Sequence, residues 1–375
     1  MPHRLETSAS RRALLAWGAM GLLGSAIGSK GTAATLAVPE VESLAIQVVT
    51  DAATFGPFLP DFDLPGLRVA YAGNGGPPRA PRMPSRPLLG EFGLALHATS
   101  TRGAQTRRVM IDLGYSREVL ANNLQLLGID ADRIDAAVLS HGHLDHYGGF
   151  QGLFGADGGR HHHLPLVVGG EETFCERVAL IGSPPPVMGA LDREALRDAG
   201  FAVRIASEPA PLGDHAFTTG LIPLASFERA AIPTQMRPGV GCDRALLDSA
   251  KRGVDQLPDD GAHELATAYV VKGLGLVVIA SCSHRGVINS VRQAQRVSGV
   301  DKVHAVIGGF HLVRPRTEEE ARRTVAEFAR IDPTYIVPMH CTGEVFIAEA
   351  MRLMPRKVIR PYVGTRLLFG APSAA

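Results

Sequence analysis

The sequence predicts an α/β fold whose functional site lies where several strands end along one sheet edge. Three observations carry that expectation. Apolar runs of strand length alternate with helix-period segments through the last third of the chain, as in strands joined by helical crossovers. Three successive runs end in a histidine, namely His284, His311 and His340. A fourth run, Ala136-Ala137-Val138-Leu139, is followed at once by Ser-His-Gly-His-Leu-Asp-His-Tyr-Gly-Gly over residues 140–149. One histidine at a strand end suits core packing, but four such ends do not. Strand ends are where folds of this class build their sites.

The chain has 375 residues, 45% hydrophobic and 20% charged, which is ordinary for a globular protein. It is long enough for one large domain or two smaller ones. A formal net charge of +1 gives no reason to expect a nucleic-acid or membrane-surface partner. Fourteen histidines exceed what a core requires. Four cysteines without Cys-x-x-Cys spacing make neither a zinc ribbon nor a dense disulfide framework.

Residues 1–37 read as a twin-arginine-type signal peptide outside the fold. Ser10-Arg11-Arg12-Ala13 leads into an apolar run over residues 13–27, short of the ~20 residues that a membrane span needs. Small residues then crowd positions 31–37, where Thr32-Ala33-Ala34 or Thr35-Leu36-Ala37 suits a signal peptidase. The competing reading is an uncleaved anchor. Cleaved export implies a periplasmic or secreted protein, the twin-arginine machinery as a partner, and no stable membrane association afterwards. That route carries folded proteins, which suits metal loading before export.

Residues 44–50 open the fold as a strand. Residues 73–90, dense in Pro, Gly and Arg, read as a long loop, either a lid or a surface excursion. Residues 92–98 and 108–112 read as paired strands around a polar turn at 99–105. A helix carrying Val119, Leu120, Leu124 and Leu127 follows and ends at Gly128. Asp112 has two readings, a hydrogen bond to a ligand histidine or a turn cap.

Residues 152–261 are the least informative. His161-His162-His163 cannot all face one point from regular structure and read as a solvated strand start. Residues 183–186 read as a rigid loop, 192–199 as a helix and 202–206 as a strand. His215 and His263 stand alone and are not expected to be ligands. Beyond this stretch the pattern sharpens. Residues 268–271 and 276–280 form a hairpin; strands follow at 303–307, 335–339 and 365–369, and helices at 287–297, 318–331 and 345–353.

In an extended segment, side chains two apart point the same way, so His141 and His143 can converge on one cation. Asp145 and His146 follow where the chain turns and can face a second. Zinc, iron and manganese accept imidazole and carboxylate, and a two-metal site holds its ions about 3.5–4 Å apart.

Residues 140–149 resemble the metal-binding signature of the metallo-β-lactamase superfamily, and residues 92–369 resemble its four-layer αββα sandwich. Within that superfamily the likeness is to the branch of the dihydropterin–ribofuranosylaminobenzene phosphate synthases and related metal-dependent hydrolases. Residues 111–114, 123–130, 140–149, 281–289, 307–312 and 340–343 carry it, with weaker features at Asp259, Asp260, Glu264, Phe227 and Glu228. The resemblance implies a single domain over 38–375, with an insert near 152–261. It implies His141 and His143 at a first metal and Asp145 and His146 at a second. His340 would complete the second site, and His284 is the candidate to complete the first. Two departures stand out. Residues 218–223 replace the usual Pro-Gly-His-Thr segment, and no bridging aspartate stands at Cys282-Ser283-His284. Cys282 is either a thiolate ligand or a small buried neighbour.

The implied activity is an exported metallo-hydrolase using a metal-bound hydroxide to cleave an ester, phosphoester or lactone-like bond of a small-molecule substrate. Its cofactors would be two divalent ions, zinc first, with iron or manganese as alternatives. Asp145 would ligate and orient the nucleophile. His311 would donate to the leaving group or bind substrate, or else be a satisfied core histidine. The rivals are a pterin-type C–N bond-forming transferase, a di-iron redox enzyme, and a metal-binding protein without catalysis.

Overall fold

The computed structural model describes residues 37–55, 59–71, 86–154 and 163–370. The expected signal peptide (up to residue 36), the 73–85 part of the expected loop, and His161 and His162 lie outside them. His163 is exposed just before the strand Leu164–Val168.

Two large sheets face each other. The nine-stranded sheet runs Phe201–Ile205, Leu164–Val168, Ala136–Leu139, Gln105–Ile111, Ala95–Arg102, Ser43–Thr50, Thr365–Gly370, Leu67–Tyr71 and Phe62–Leu64. Its first four strands are parallel and the rest antiparallel. The seven-stranded sheet runs Ala210–Leu212, Ala216–Thr218, Thr267–Val271, Gly275–Ile279, Val303–Gly308 and Tyr335–Pro338, with Glu40–Val41 beside Thr267–Val271. Its last three in that order are parallel. Leu44, Ile46, Leu96, Val109, Val277, Ile279 and Ile307 fill the space between the sheets. Arg117–Leu127 covers the outer face of the first sheet through Leu120 and Leu124. Val287–Ser298, Glu318–Ile331 and Glu344–Leu353 cover the second. The result is the expected αββα sandwich.

Parallel strands covered on both faces read as continuous apolar runs, and Ala136–Leu139 is buried throughout. Such a sheet collects its strand ends on one side. Asp112 follows Gln105–Ile111, and the loop at 140–149 follows Ala136–Leu139. Cys282 to His284, His311 and His340 follow the parallel strands of the other sheet. Phe310 anchors its strand end beneath the helices, with ring centroids 5.6 Å from Phe328 and 5.3 Å from Phe346.

The expected turn at 99–105 is shorter in the structure. The paired strands continue through Arg102 and restart at Gln105, leaving only Gly103 and Ala104 between them. Thr99 and Thr101 are half-buried outer-face residues alternating with buried Ala98 and Ser100, so polar residues of a strand were read as a turn. The strand begins at Ala95 rather than Phe92, because Gly93 and Leu94 pack on the loop, Leu94 N donating to Asp145 O at 3.1 Å.

Residues 152–261 supply edge strands to both sheets and a separate four-stranded sheet of Val187–Gly189, Glu176–Ala179, Thr234–Arg237 and Leu257–Pro258. Cys175 and Cys242 form a disulfide 67 residues apart that ties this region together. Closing a loop of that length restricts the unfolded chain by about 4 kcal/mol in the chain-entropy model. Replacing both cysteines by serine should therefore lower the unfolding free energy by about 2–5 kcal/mol in urea titrations; an unchanged midpoint would show that the bridge adds nothing.

Candidate metal centre

The ligand loop is held from below by Asp112. Its buried carboxylate accepts Ser140 N at 2.7 Å, Ser140 Oγ at 2.8 Å and His146 Nδ1 at 2.8 Å. It adopts a left-handed φ of 56°, which turns its carboxylate under the loop. Of its two sequence readings, the hydrogen bond to a ligand histidine is the one observed. With the Ser140 hydrogen committed to Asp112, Ser140 Oγ accepts from His141 Nδ1 at 2.9 Å. Both His141 and His146 thereby carry their proton on Nδ1, which leaves Nε2 bare. Gly142 between the first two histidines is required by space, since a Cβ there would lie 2.3 Å from Thr173 O.

His143 is oriented from the opposite side. Its Nε2 donates to Thr234 Oγ1 at 3.1 Å, and Thr234 Oγ1 donates to Asp259 Oδ2 at 3.4 Å. The free nitrogen of His143 is therefore Nδ1. His284 lies with Nδ1 3.4 Å from Ala231 O, and Glu264 accepts its backbone N at 2.8 Å.

Among the described residues, five overlapping groups of possible ligand atoms, the atoms of each within 4.8 Å of one another, include two that contain no cysteine. One is His141, His143 and His284; the other is Asp145, His146 and His340. In the second set Asp145 Oδ2 is 3.6 Å from His146 Nε2 and 3.3 Å from His340 Nε2. The sets adjoin, with the His141 and His146 ring centroids 4.2 Å apart. Within each set the residues are those that the resemblance pairs.

The donor chemistry fits divalent metal. Nε2 of His141, His146, His284 and His340 is buried without a hydrogen-bond partner among the described residues. Folded proteins rarely leave buried polar atoms so, and four in two adjoining sets call for electrophiles. Burial and then the neighbouring imidazoles push His141 and His284 well below the usual histidine range. Burial also lowers His143, against the raising effect of Asp259. These three are neutral at physiological pH, the form that binds metal. Burial favours a neutral Asp145, but His146 and His340 outweigh it and hold the carboxyl below its usual range. At His340 burial is overcome by Cys341, Asp145 and Asp51, which raise it to about 9. The second set thus demands positive charge, which a divalent cation would meet.

Behind the ligands lies a layer that sequence reasoning largely missed. Arg177, fully enclosed, donates from Nε to Asp259 Oδ2 at 3.0 Å and contacts His263 Nε2 at 3.2 Å. His263 Nε2 accepts Gly142 N at 3.0 Å. Arg177, Thr234 and Asp259 come from the weakly patterned region, and only Asp259 had any signal. Asp51 ends the strand Ser43–Thr50 and accepts His340 N at 2.9 Å. Its position after a strand end, like that of Asp112, was the available clue.

The remaining candidates divide. His215 hydrogen-bonds Ser100 Oγ at 3.0 Å and, like His263, joins no ligand cluster among the described residues. Residues 218–223 supply no ligand either. Cys282 Sγ is within ligand spacing of His141 and His146, 3.2 Å from Cys341 Sγ and 3.5 Å from His311 Nδ1. The His311 ring lies tilted by 51° with its centroid 4.3 Å from that of His284, and its buried Nε2 has no partner among the described residues.

Residues 103–216 match the model of the metallo-beta-lactamase superfamily. A 7,8-dihydropterin-6-methyl-4-(beta-D-ribofuranosyl)-aminobenzene-5'-phosphate synthase of Methanocaldococcus jannaschii is 28% identical over 269 residues, spanning 71% of this chain and 85% of its own. An uncharacterized protein of the same organism is 26% identical over 242 residues, 63% of this chain and 80% of its own. The crystal structure of a metal-dependent hydrolase of the beta-lactamase superfamily aligns with a TM-score of 0.61 and 22% identity, over 86% of this chain and 98% of that one. This last likeness is one of fold.

Elemental analysis checks the ligand sets. His141→Ala with His143→Ala should strip the first set, and His284→Ala alone should remove about one metal equivalent; unchanged content would refute the assignment. Asp112→Asn should weaken metal binding about 10–100-fold in chelator competition, the usual cost of losing the partner that orients a ligand.

Proposed function

We propose that the chain is an exported two-metal hydrolase of the metallo-β-lactamase superfamily, acting on an ester, phosphoester or lactone-like bond. The observation that carries this reading is the adjoining pair of ligand sets whose buried nitrogens have no protein partner. Divalent ions held there, zinc by ligand type, would lower the pKa of water from 15.7 to about 7 and polarise the bond under attack.

The chain's own residues divide the remaining work. Asp112 sets the tautomer of His146 and, through Ser140, of His141, and Thr234 sets that of His143. Asp145 stays ionised and can both ligate and orient an attacking oxygen or take its proton. His311 Nε2, buried but uncommitted, is available to the leaving group or to a substrate oxygen. Asp51 anchors His340 through its backbone.

A second reading has its own support. The dihydropterin-related synthase shares 28% identity over most of its length, which favours a C–N bond-forming transferase acting at the same residues. Export argues against a cytosolic phosphorylated substrate. The disulfide Cys175–Cys242 suits an oxidising compartment, as does the arginine pair ahead of a short apolar run.

Protein purified from its native compartment should contain two metal equivalents and hydrolyse at least one of a phosphodiester, a lactone and a carboxylic ester. Chelation should abolish that activity. Asp145→Asn should lower kcat by about 10²–10⁴-fold, the range for losing a positioned proton acceptor. Two bound metals with no hydrolysis, but with displacement of a leaving group on a pterin methyl carbon by an arylamine nitrogen, would move the assignment to the transferase. Arg11→Lys with Arg12→Lys should hold the precursor in the cytoplasm, as judged by fractionation and blotting; undiminished export would refute the signal.

A further inference from the structure

A cavity of about 420 Å³ opens beside His340 of the second ligand set. His340 and His311 lie in its wall, together with Phe92, Gly343, Glu344 and Arg360. Three features on different segments converge there, two that favour an anion and one buried imidazole without a partner.

The first is the start of the helix Glu344–Leu353. Its cap, Gly343, has no side-chain hydrogen bond and a φ of 86°. A Cβ at Gly343 would lie 2.7 Å from Leu312 O, so no capping side chain can take that position. The first amides of this ten-residue helix are left for a ligand or water, at the positive end of the helix dipole. The second is His311, only 7% exposed, whose Nε2 has no partner. The third is Arg360, half-buried, which makes no ion pair with Glu344 or Asp51 although all three line the same cavity. Asp51 is committed to the backbone N of His340, and Glu344 is exposed at the rim. The guanidinium is thus available for an oxyanion, its geometry suiting bidentate contact. Phe92, 61% exposed with its ring 5.0 Å from that of His340, adds an apolar face beside the charge.

We propose that this cavity is the subsite for an anionic group of the substrate, a phosphate or a carboxylate. Arg360 and the amides at the start of Glu344–Leu353 hold that group while the bond to be cleaved lies at the ligand sets. The substrate is then an organic anion carrying a planar or apolar portion next to its charge. This inference rests on the hydrolase reading for the cleaved bond, but not for the binding of the anion.

Two measurements separate them. Metal-loaded protein is assayed with 4-nitrophenyl butyrate and with mono-4-nitrophenyl glutarate, which share a leaving group and differ in a remote carboxylate. The carboxylated ester should be preferred. Arg360→Ala should cut the ratio of the two kcat/KM values about tenfold, mainly through KM, as expected for one charge-assisted hydrogen bond. Arg360→Lys should keep part of the preference, and an unchanged ratio would overturn the subsite. Should neither ester be cleaved, the hydrolase reading loses its ester form, and calorimetry decides the subsite. Phenyl phosphate and benzoate are titrated into metal-loaded wild type and Arg360→Ala, with matching urea midpoints as the check on folding. Binding about tenfold weaker in the variant supports the subsite, and the tighter of the two ligands names its oxyanion. Equal affinities refute it.

Discussion

A carboxylate without access to water must receive its hydrogen bonds from the protein, because a buried unpaired charge costs several kcal/mol. Asp112 receives all three of its own from the ligand loop, namely Ser140 N, Ser140 Oγ and His146 Nδ1. The dependence runs both ways. The loop satisfies the carboxylate, and the carboxylate fixes the tautomers of His141 and His146, the former through Ser140. The two strands that end at Asp112 and Ser140 are parallel neighbours, so the sheet itself sets the distance between carboxylate and loop. A site built this way needs no flexible segment to bring its ligands together.

The other half of the site answers the same constraint from the opposite sheet. His284, His311 and His340 follow parallel strands, and each strand end is pinned by its own polar partner. Glu264 takes the amides of His284 and Arg285, and Asp51 takes that of His340. His311 has no such carboxylate, and its position follows from Phe310 packed against Phe328 and Phe346. The metal-facing surface is thus the meeting line of two sheets whose hydrophobic faces are already joined. Core packing and ligand geometry are consequences of one arrangement.

This explains which parts were legible in the sequence. Side chains at strand ends follow apolar runs, so the clustering of His141, His143, Asp145, His146, His284 and His340 could be anticipated by reading where each run stops. Helix Glu318–Ile331 could be read to its boundaries, because its capping box, Thr317 with Glu320, is local chemistry. Arg177, Thr234 and Asp259 could not. They meet only through the pairing of Thr234–Arg237 with Glu176–Ala179 and Leu257–Pro258, and short strands leave little periodicity. The Cys175–Cys242 bridge was hidden for a similar reason, since its half-cystines are far apart in sequence and lack any motif spacing. Thr99 and Thr101 misled in the opposite direction, polar residues on the open face of a regular strand.

Charge links the ligand sets to the cavity above them. Five of the six ligands are imidazoles, and Asp145 is the one carboxylate. The nearby Arg177 and Asp259 form an ion pair with each other. Divalent ions in this frame would therefore carry more positive charge than the ligands neutralise, and in a site closed to water that excess reaches further than it would in solvent. Arg360 and the uncapped helix start add the same sign at two points of the cavity wall, where Asp51 is engaged by the backbone N of His340 and Glu344 is exposed. Such a field attracts an anion and disfavours a cationic substrate before any contact forms. The structure thus couples its two demands. On the proposed reading, the frame that would hold the metal ions also favours an anionic substrate.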